Sequence, residues 1–124
     1  MNFYIASGFQ NKHLVRSVAN ELKHAGWHHT YDWAKNERAA NQEQLREIGQ
    51  AEQNAVKEAD VFLLILDGGN GSHTEFGMAI ALEKTIYVYH AGNPLQTTFY
   101  HLPEINIFEG DVAEFASYVM NHVK

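Results

Sequence analysis

The sequence predicts a three-layer α/β fold built on a parallel sheet. Three observations carry that reading. Strand-like and helix-like stretches alternate along the 124 residues. Two of the strands, VFLLIL (61–66) and TIYVYH (85–90), are apolar throughout, as strands covered on both faces are. The segments between strands carry apolar residues at helical spacing.

The elements follow in order. NFYIA (2–6) is a short aromatic and apolar run that ends at the turn residues SGFQN, which marks a first strand. Leu14, Val15, Val18, Ala19 and Leu22 then repeat with the helical period, with Asn11 as N-cap and Gly26 as the stop. WHHTYDW (27–33) returns to extended character. Residues 35–60 are polar and helix-forming, with Leu45, Ile48, Ala55 and Ala59 as the apolar stripe. VFLLIL is the third strand. A glycine-rich loop follows, and TEFGMAIALEK (74–84) reads as a helix that is apolar nearly all round, hence buried. TIYVYH is the fourth strand, NPLQTTFYHLPE (93–104) a loop and INIF (105–108) the last strand. A closing helix presents Val112, Phe115, Ala116, Val119 and Val123. Right-handed crossovers leave few ways to connect these elements, and the expected one is the flavodoxin-like five-stranded order 2-1-3-4-5. One domain over 1–124 is expected, since the chain shows no linker, repeat or low-complexity stretch.

Composition narrows the function. The formal net charge is −6 and no run of Lys or Arg stands out, so polymeric DNA or RNA is not the expected partner. No stretch is long enough to span a membrane, and the start lacks the basic residues of a signal peptide, so a cytoplasmic protein is expected. With no cysteine, thiol catalysis and thiolate metal sites are excluded. The eight histidines lack the spacing of a metal set, so no metal is expected. There is no lysine clamp after the glycines and no G-x-S-x-G, which leaves ATPase and serine-hydrolase readings without their working parts.

In a sheet of this order, ligands sit beyond the carboxyl ends of the strands, where the first and third strands adjoin. The loops there are SGFQN and DGGNGSH. Four of the nine glycines fall between 68 and 77. Such a loop lets a ligand approach the backbone closely, or is simply a tight turn. Glu75 stands in the first turn of the helix read at 74–84. It either complements the helix dipole or is a carboxylate kept ionised there and aimed into the pocket, able to attack an anomeric carbon. Glu52 lies four residues after Ile48 and seven after Leu45, on the apolar stripe. It is either an edge residue reaching water or a site acid that handles a proton. Tyr4 is core, or orients a carboxylate through its hydroxyl. Ser7 and Gly8 are placed to meet sugar or phosphate oxygens. Phe9 and Trp33 are placed to stack on a base or to pack, with packing favoured. His73 reads as a surface loop residue.

These stretches together resemble the nucleoside 2-deoxyribosyltransferase family. The resemblance rests on FYIASGF, an acid eight residues before Asp60, the glycine-rich loop, TEFGMA and KTIYVY, and it spans nearly the whole chain. It implies a flavodoxin-like fold and cleavage of the N-glycosidic bond of deoxynucleosides or nucleoside 5′-monophosphates. By position, Glu75 matches the family's nucleophile, Tyr4 the tyrosine that orients it, and Ser7 and Gly8 the loop near the sugar. Glu52 falls where the family usually has an Asp acting on the base. Gly69, six residues before Glu75, falls where transferase members carry an acid and monophosphate hydrolases a Ser; Asp67, Gly71 and Ser72 are the neighbours there. The resemblance implies transfer of a deoxyribosyl group between bases through a covalent glycosyl-Glu75, or hydrolysis in its place; a non-catalytic nucleotide-binding domain that keeps the fold is the remaining alternative. It implies partners no larger than a nucleoside or nucleotide and a free base, no cofactor, and a role in purine and pyrimidine salvage. It also implies a homo-oligomer, dimer or larger, in which the 93–104 segment, with Phe99, Tyr100 and Leu102, helps close a neighbour's site.

Overall fold

The computed structural model describes residues 1–92 and 94–123. Asn93, the first residue of the predicted 93–104 loop, and Lys124 lie outside them. Five strands form one parallel sheet in the order β2-β1-β3-β4-β5. They are β1 (Asn2–Ser7), β2 (His28–His29), β3 (Val61–Ile65), β4 (Thr85–His90) and β5 (Ile105–Glu109). The helices are α1 (Lys12–His24), α2 (Gln42–Glu58), α3 (Asn70–Ala81) and α4 (Val112–His122). α1 packs on α4 and α2 on α3, so the sheet is covered by two helix pairs.

The register follows from burial. Every residue of β3 is buried, and Tyr4, Ile5 and Ala6 of β1 pair with Phe62, Leu63 and Leu64. A one-residue slip would carry each of these side chains to the other face of the sheet. Phe3, Leu63, Phe115 and Val56 reach zero exposure in the core around it.

Four expectations need correction. The extended stretch at 27–33 shrinks to His28–His29, and Trp33–Lys35 forms a single 3-10 turn. Trp33 causes this: its indole N–H donates to the Ile5 carbonyl at 2.6 Å, which draws the chain off the sheet edge and inward. The helix expected from 35 begins at Gln42, where the Asn41 side chain accepts the Gln44 N–H at 2.8 Å. Residues before it are held elsewhere, by Arg16 on the Ala34 carbonyl and Lys12 on the Asn36 carbonyl. The first half of α2 therefore stands off the core, and Leu45, read as part of a buried stripe, is 61% exposed. Asn11 does not cap α1 with its side chain, which instead donates to Ser7 Oγ and the Asp67 carbonyl, each at 3.0 Å.

The fourth correction concerns α3. It starts at Asn70 rather than Thr74, and one face only is buried, through Ser72, Glu75, Phe76 and Ala79. Leu82 at its end is exposed. Helix continues back through the glycines because Ser72 Oγ and the His73 ring both bond the Gly69 carbonyl and close the first turn.

Candidate active site

The carboxyl ends of β1 and β3 adjoin through the Ser7–Ile65 pair, and the two following loops are tied together there. Ser7 Oγ donates to the Ile65 carbonyl at 2.6 Å, and the Gly8 N–H donates to the Asp67 carbonyl at 3.1 Å. Behind them lies a pocket of about 220 Å³. Ser7, Gly8, Phe9 and Trp33 form one wall, and Gly69, Gly71 and Ser72 the other. Glu52 and Glu75 reach it from α2 and α3. Asp67 contributes its carbonyl to the loop junction and does not line the pocket. Tyr4 does not line the pocket, but its hydroxyl reaches the two carboxyls that do.

That hydroxyl is the centre of the arrangement. Tyr4 is fully buried in β1, and its OH donates to Glu75 Oε2 at 2.8 Å while Glu52 Oε2 stands 3.4 Å away. A phenol has one proton, so the shorter contact takes it and the longer one is weak. Glu52 and Glu75 also act on each other electrostatically. Each of the three groups comes from a different element, 48 and 71 residues apart from Tyr4 in sequence.

The electrostatics follow from that enclosure. Burial first, and then the charge of Glu52, push the Glu75 carboxyl up to about 8; the Tyr4 hydrogen bond works against them. Burial also raises Glu52, with the bonds to Tyr4 and Glu75 pulling it back. Tyr4 is driven far above an ordinary phenol, by burial and then by both carboxylates. Among the described residues no cation acts on either carboxyl, so the two do not both ionise at neutral pH. Glu75 is the sixth residue of α3, not part of its first turn. The helix dipole falls off within that first turn, so the expectation that it keeps Glu75 ionised gives way to the larger effect of burial.

The aromatic wall is built for packing and for contact at once. Trp33 is buried and fixed by its indole bond, whereas Phe9 is 41% exposed with its ring 6.4 Å from that of Trp33. Lys12 Nζ sits over the Phe9 ring, 3.8 Å from its centre. The glycines divide by role. A Cβ on Gly68 would meet Ser72 Oγ at 2.1 Å and displace that hydroxyl from its place at the start of α3; at Gly69 and Gly71 nothing among the described residues stands within 4 Å.

One pair of residues escaped the sequence reading. His73 is tied rather than free: its Nδ1–H donates to the Gly69 carbonyl at 2.9 Å, which leaves Nε2 to accept a short hydrogen bond from the Tyr100 hydroxyl. Tyr100 is itself buried, against Phe76. Of the apolar patch read at Phe99, Tyr100 and Leu102, only Phe99 is substantially exposed, at 58%. The signal in sequence was the histidine two positions before Glu75, but nothing there named its tyrosine partner 27 residues on.

Comparison with known proteins adds the following. The family model for nucleoside 2-deoxyribosyltransferase matches residues 3–120. No curated protein matches. Among solved structures, a CMP N-glycosidase of Clostridium botulinum superposes with a TM-score of 0.73 at 16% identity, over 97% of this chain and 99% of that one. A 2-deoxyribosyltransferase of Bacillus psychrosaccharolyticus superposes with a TM-score of 0.71 at 18% identity, over 99% and 93% of the two chains. At these identities the two structures speak for the fold.

Proposed function

The chain belongs to the nucleoside 2-deoxyribosyltransferase family and is an enzyme of the deoxyribosyltransferase or N-glycosidase class; on that premise we propose that it moves a deoxyribosyl group between bases through a glycosyl ester on Glu75. The observation that carries the reading is the cluster of Glu52 and Glu75 in the interloop pocket, joined by the buried Tyr4 hydroxyl.

The chemistry runs in two displacements. A carboxylate oxygen of Glu75 forms a bond to C1′ while the C1′–N bond breaks, and its electron pair leaves with the base. Glu52 supplies the proton that the departing nitrogen needs. An acceptor base then attacks C1′ from the vacated side, returns a proton to Glu52 and frees Glu75. Two inversions retain the anomeric configuration. Tyr4 holds the Glu75 carboxyl and steadies its charged form by donating to it. At neutral pH the carboxyl pair still carries a proton. For reaction that proton passes to Glu52 and on to the base, so the nucleophile is unmasked as the leaving group is protonated.

The pocket also bears on the substrate. Among the described residues no Lys or Arg lines it, and two carboxyls do, which favours an uncharged 5′-hydroxyl. A second reading, hydrolysis of nucleoside 5′-monophosphates, draws on Gly69, Gly71 and Ser72 at the start of α3, where backbone N–H groups suit an anion. Chromatography of reactions with deoxynucleosides and 5′-monophosphates, each with and without a second base, separates the two. A new nucleoside that forms only with added base supports transfer. Free base released from monophosphates alone would replace it with the hydrolase.

A further inference from the structure

The cleft does not end at Glu52. The inner pocket shares Phe9, Trp33 and Glu52 with an outer pocket of about 400 Å³, whose far wall is Arg38, Leu45 and Ile48. Leu45, Ile48 and Glu52 follow one another at helical spacing, so α2 presents all three along one face. The large apolar side chains left exposed among the described residues include Phe9 and Leu45, and both turn up in this one cleft. A single exposed leucine is ordinary. A leucine and an isoleucine facing a partly exposed phenylalanine, in a groove continuous with a reactive pocket, are a surface prepared for contact.

The direction of a substrate follows from Glu75 and Glu52. With C1′ at Glu75, the base extends past the proton donor Glu52 and lies beside Phe9 and Trp33. Its outer edge then faces Leu45 and Ile48. The outer pocket alone has the volume that takes a drug-sized ligand, roughly 300–1,000 Å³, more than a bare base fills. Glu37 and Arg38, which also line it, offset each other in formal charge.

We propose that this outer pocket is a subsite for an apolar substituent on the exocyclic edge of the base, which makes base-alkylated or base-arylated nucleosides the preferred substrates. The proposal rests on the functional reading above for the direction in which the base points.

Binding tests it without needing turnover. Calorimetry on the Glu75→Gln protein would compare deoxyadenosine with N6-benzyldeoxyadenosine, and deoxycytidine with N4-benzyldeoxycytidine. The benzyl compound of at least one pair is expected to bind about tenfold tighter, the return on burying a modest apolar area. Adding Leu45→Asp and Ile48→Asp is expected to bring that ratio close to one. Benzyl compounds that bind no tighter than their parents, or a ratio that survives both substitutions, would overturn the subsite. The same ratio read as KM on the wild-type protein covers the case of a Glu75→Gln chain that fails to fold. A benzyl preference without cleavage of any nucleoside would remove the proposed chemistry and leave the subsite standing.

Discussion

The two ends of the sheet use carboxylates in opposite ways. At the amino end, Asp60 is exposed and accepts the Asn2 N–H at 2.8 Å, tying the start of β1 to the start of β3. It stays at the surface, where a backbone donor meets it. At the carboxyl end, Glu75 is 7% exposed and meets a phenol and another acid. Burying an acid against an acid costs stability, which a structural role does not require. The difference separates a charge that serves the fold from one that the fold maintains for chemistry.

The largest test of that contrast is Glu75→Gln. Glycosyl transfer is expected to fall by at least about a thousandfold, the usual scale for losing a nucleophile, with thermal stability kept or raised. Glu52→Gln comes next. Its removal as proton donor is expected to lower kcat by about 10²–10⁴, and the pH profile gives it a signature. In the wild type the pair loses its last proton as pH rises through about 8, so kcat/KM falls there. Without the Glu52 charge the Glu75 carboxyl drops, and that limb disappears from its place near 8. Tyr4→Phe removes one hydrogen bond to a charged group, and a loss of roughly 10–100-fold is expected from the ~1.5–3 kcal/mol such bonds carry.

Stability against pH sharpens the same comparison. Glu75 sits above its ordinary carboxylate value in the folded chain, so the native state binds more protons than the unfolded one between about 4.5 and 8. That stabilisation is full below the lower value and is lost as pH rises through the upper one. Denaturant titrations are expected to show the decline in wild type and its absence in Glu75→Gln. His29 gives the opposite slope: burial lowers it to about 4, so protonation as pH falls from about 6.5 to 4 favours unfolding. The smallest effect belongs to Asp60→Ala, expected to cost about 0.5–1.5 kcal/mol of stability with activity within about twofold. A large loss of activity there would erase the distinction between the two ends.

The sheet was legible because β3 and β4 are apolar on both faces, a pattern only covered parallel strands require. The loops meeting at Ser7 and Ile65 followed from strand order alone. What the sequence hid was set by contacts from far along the chain. Residues 35–41 have helical composition, yet Lys12 and Arg16 of α1 and the Trp33 indole hold the stretch around them in another path. The glycines before Glu75 read as loop, and their helix depends on Ser72 and His73 bonding back to Gly69. The Glu75 environment was misjudged for the same reason: the dipole is a local effect, and burial against Tyr4 and Glu52 is not.

The most direct test is a search for the ester itself. The protein would be incubated with a deoxynucleoside carrying fluorine at C2′, which slows departure from the enzyme, and its intact mass and peptides measured. A gain of one fluorosugar located on Glu75, and absent from Glu75→Gln, is the result predicted. Cleavage of nucleosides with no adduct, or an adduct on another residue, would contradict the covalent role of Glu75.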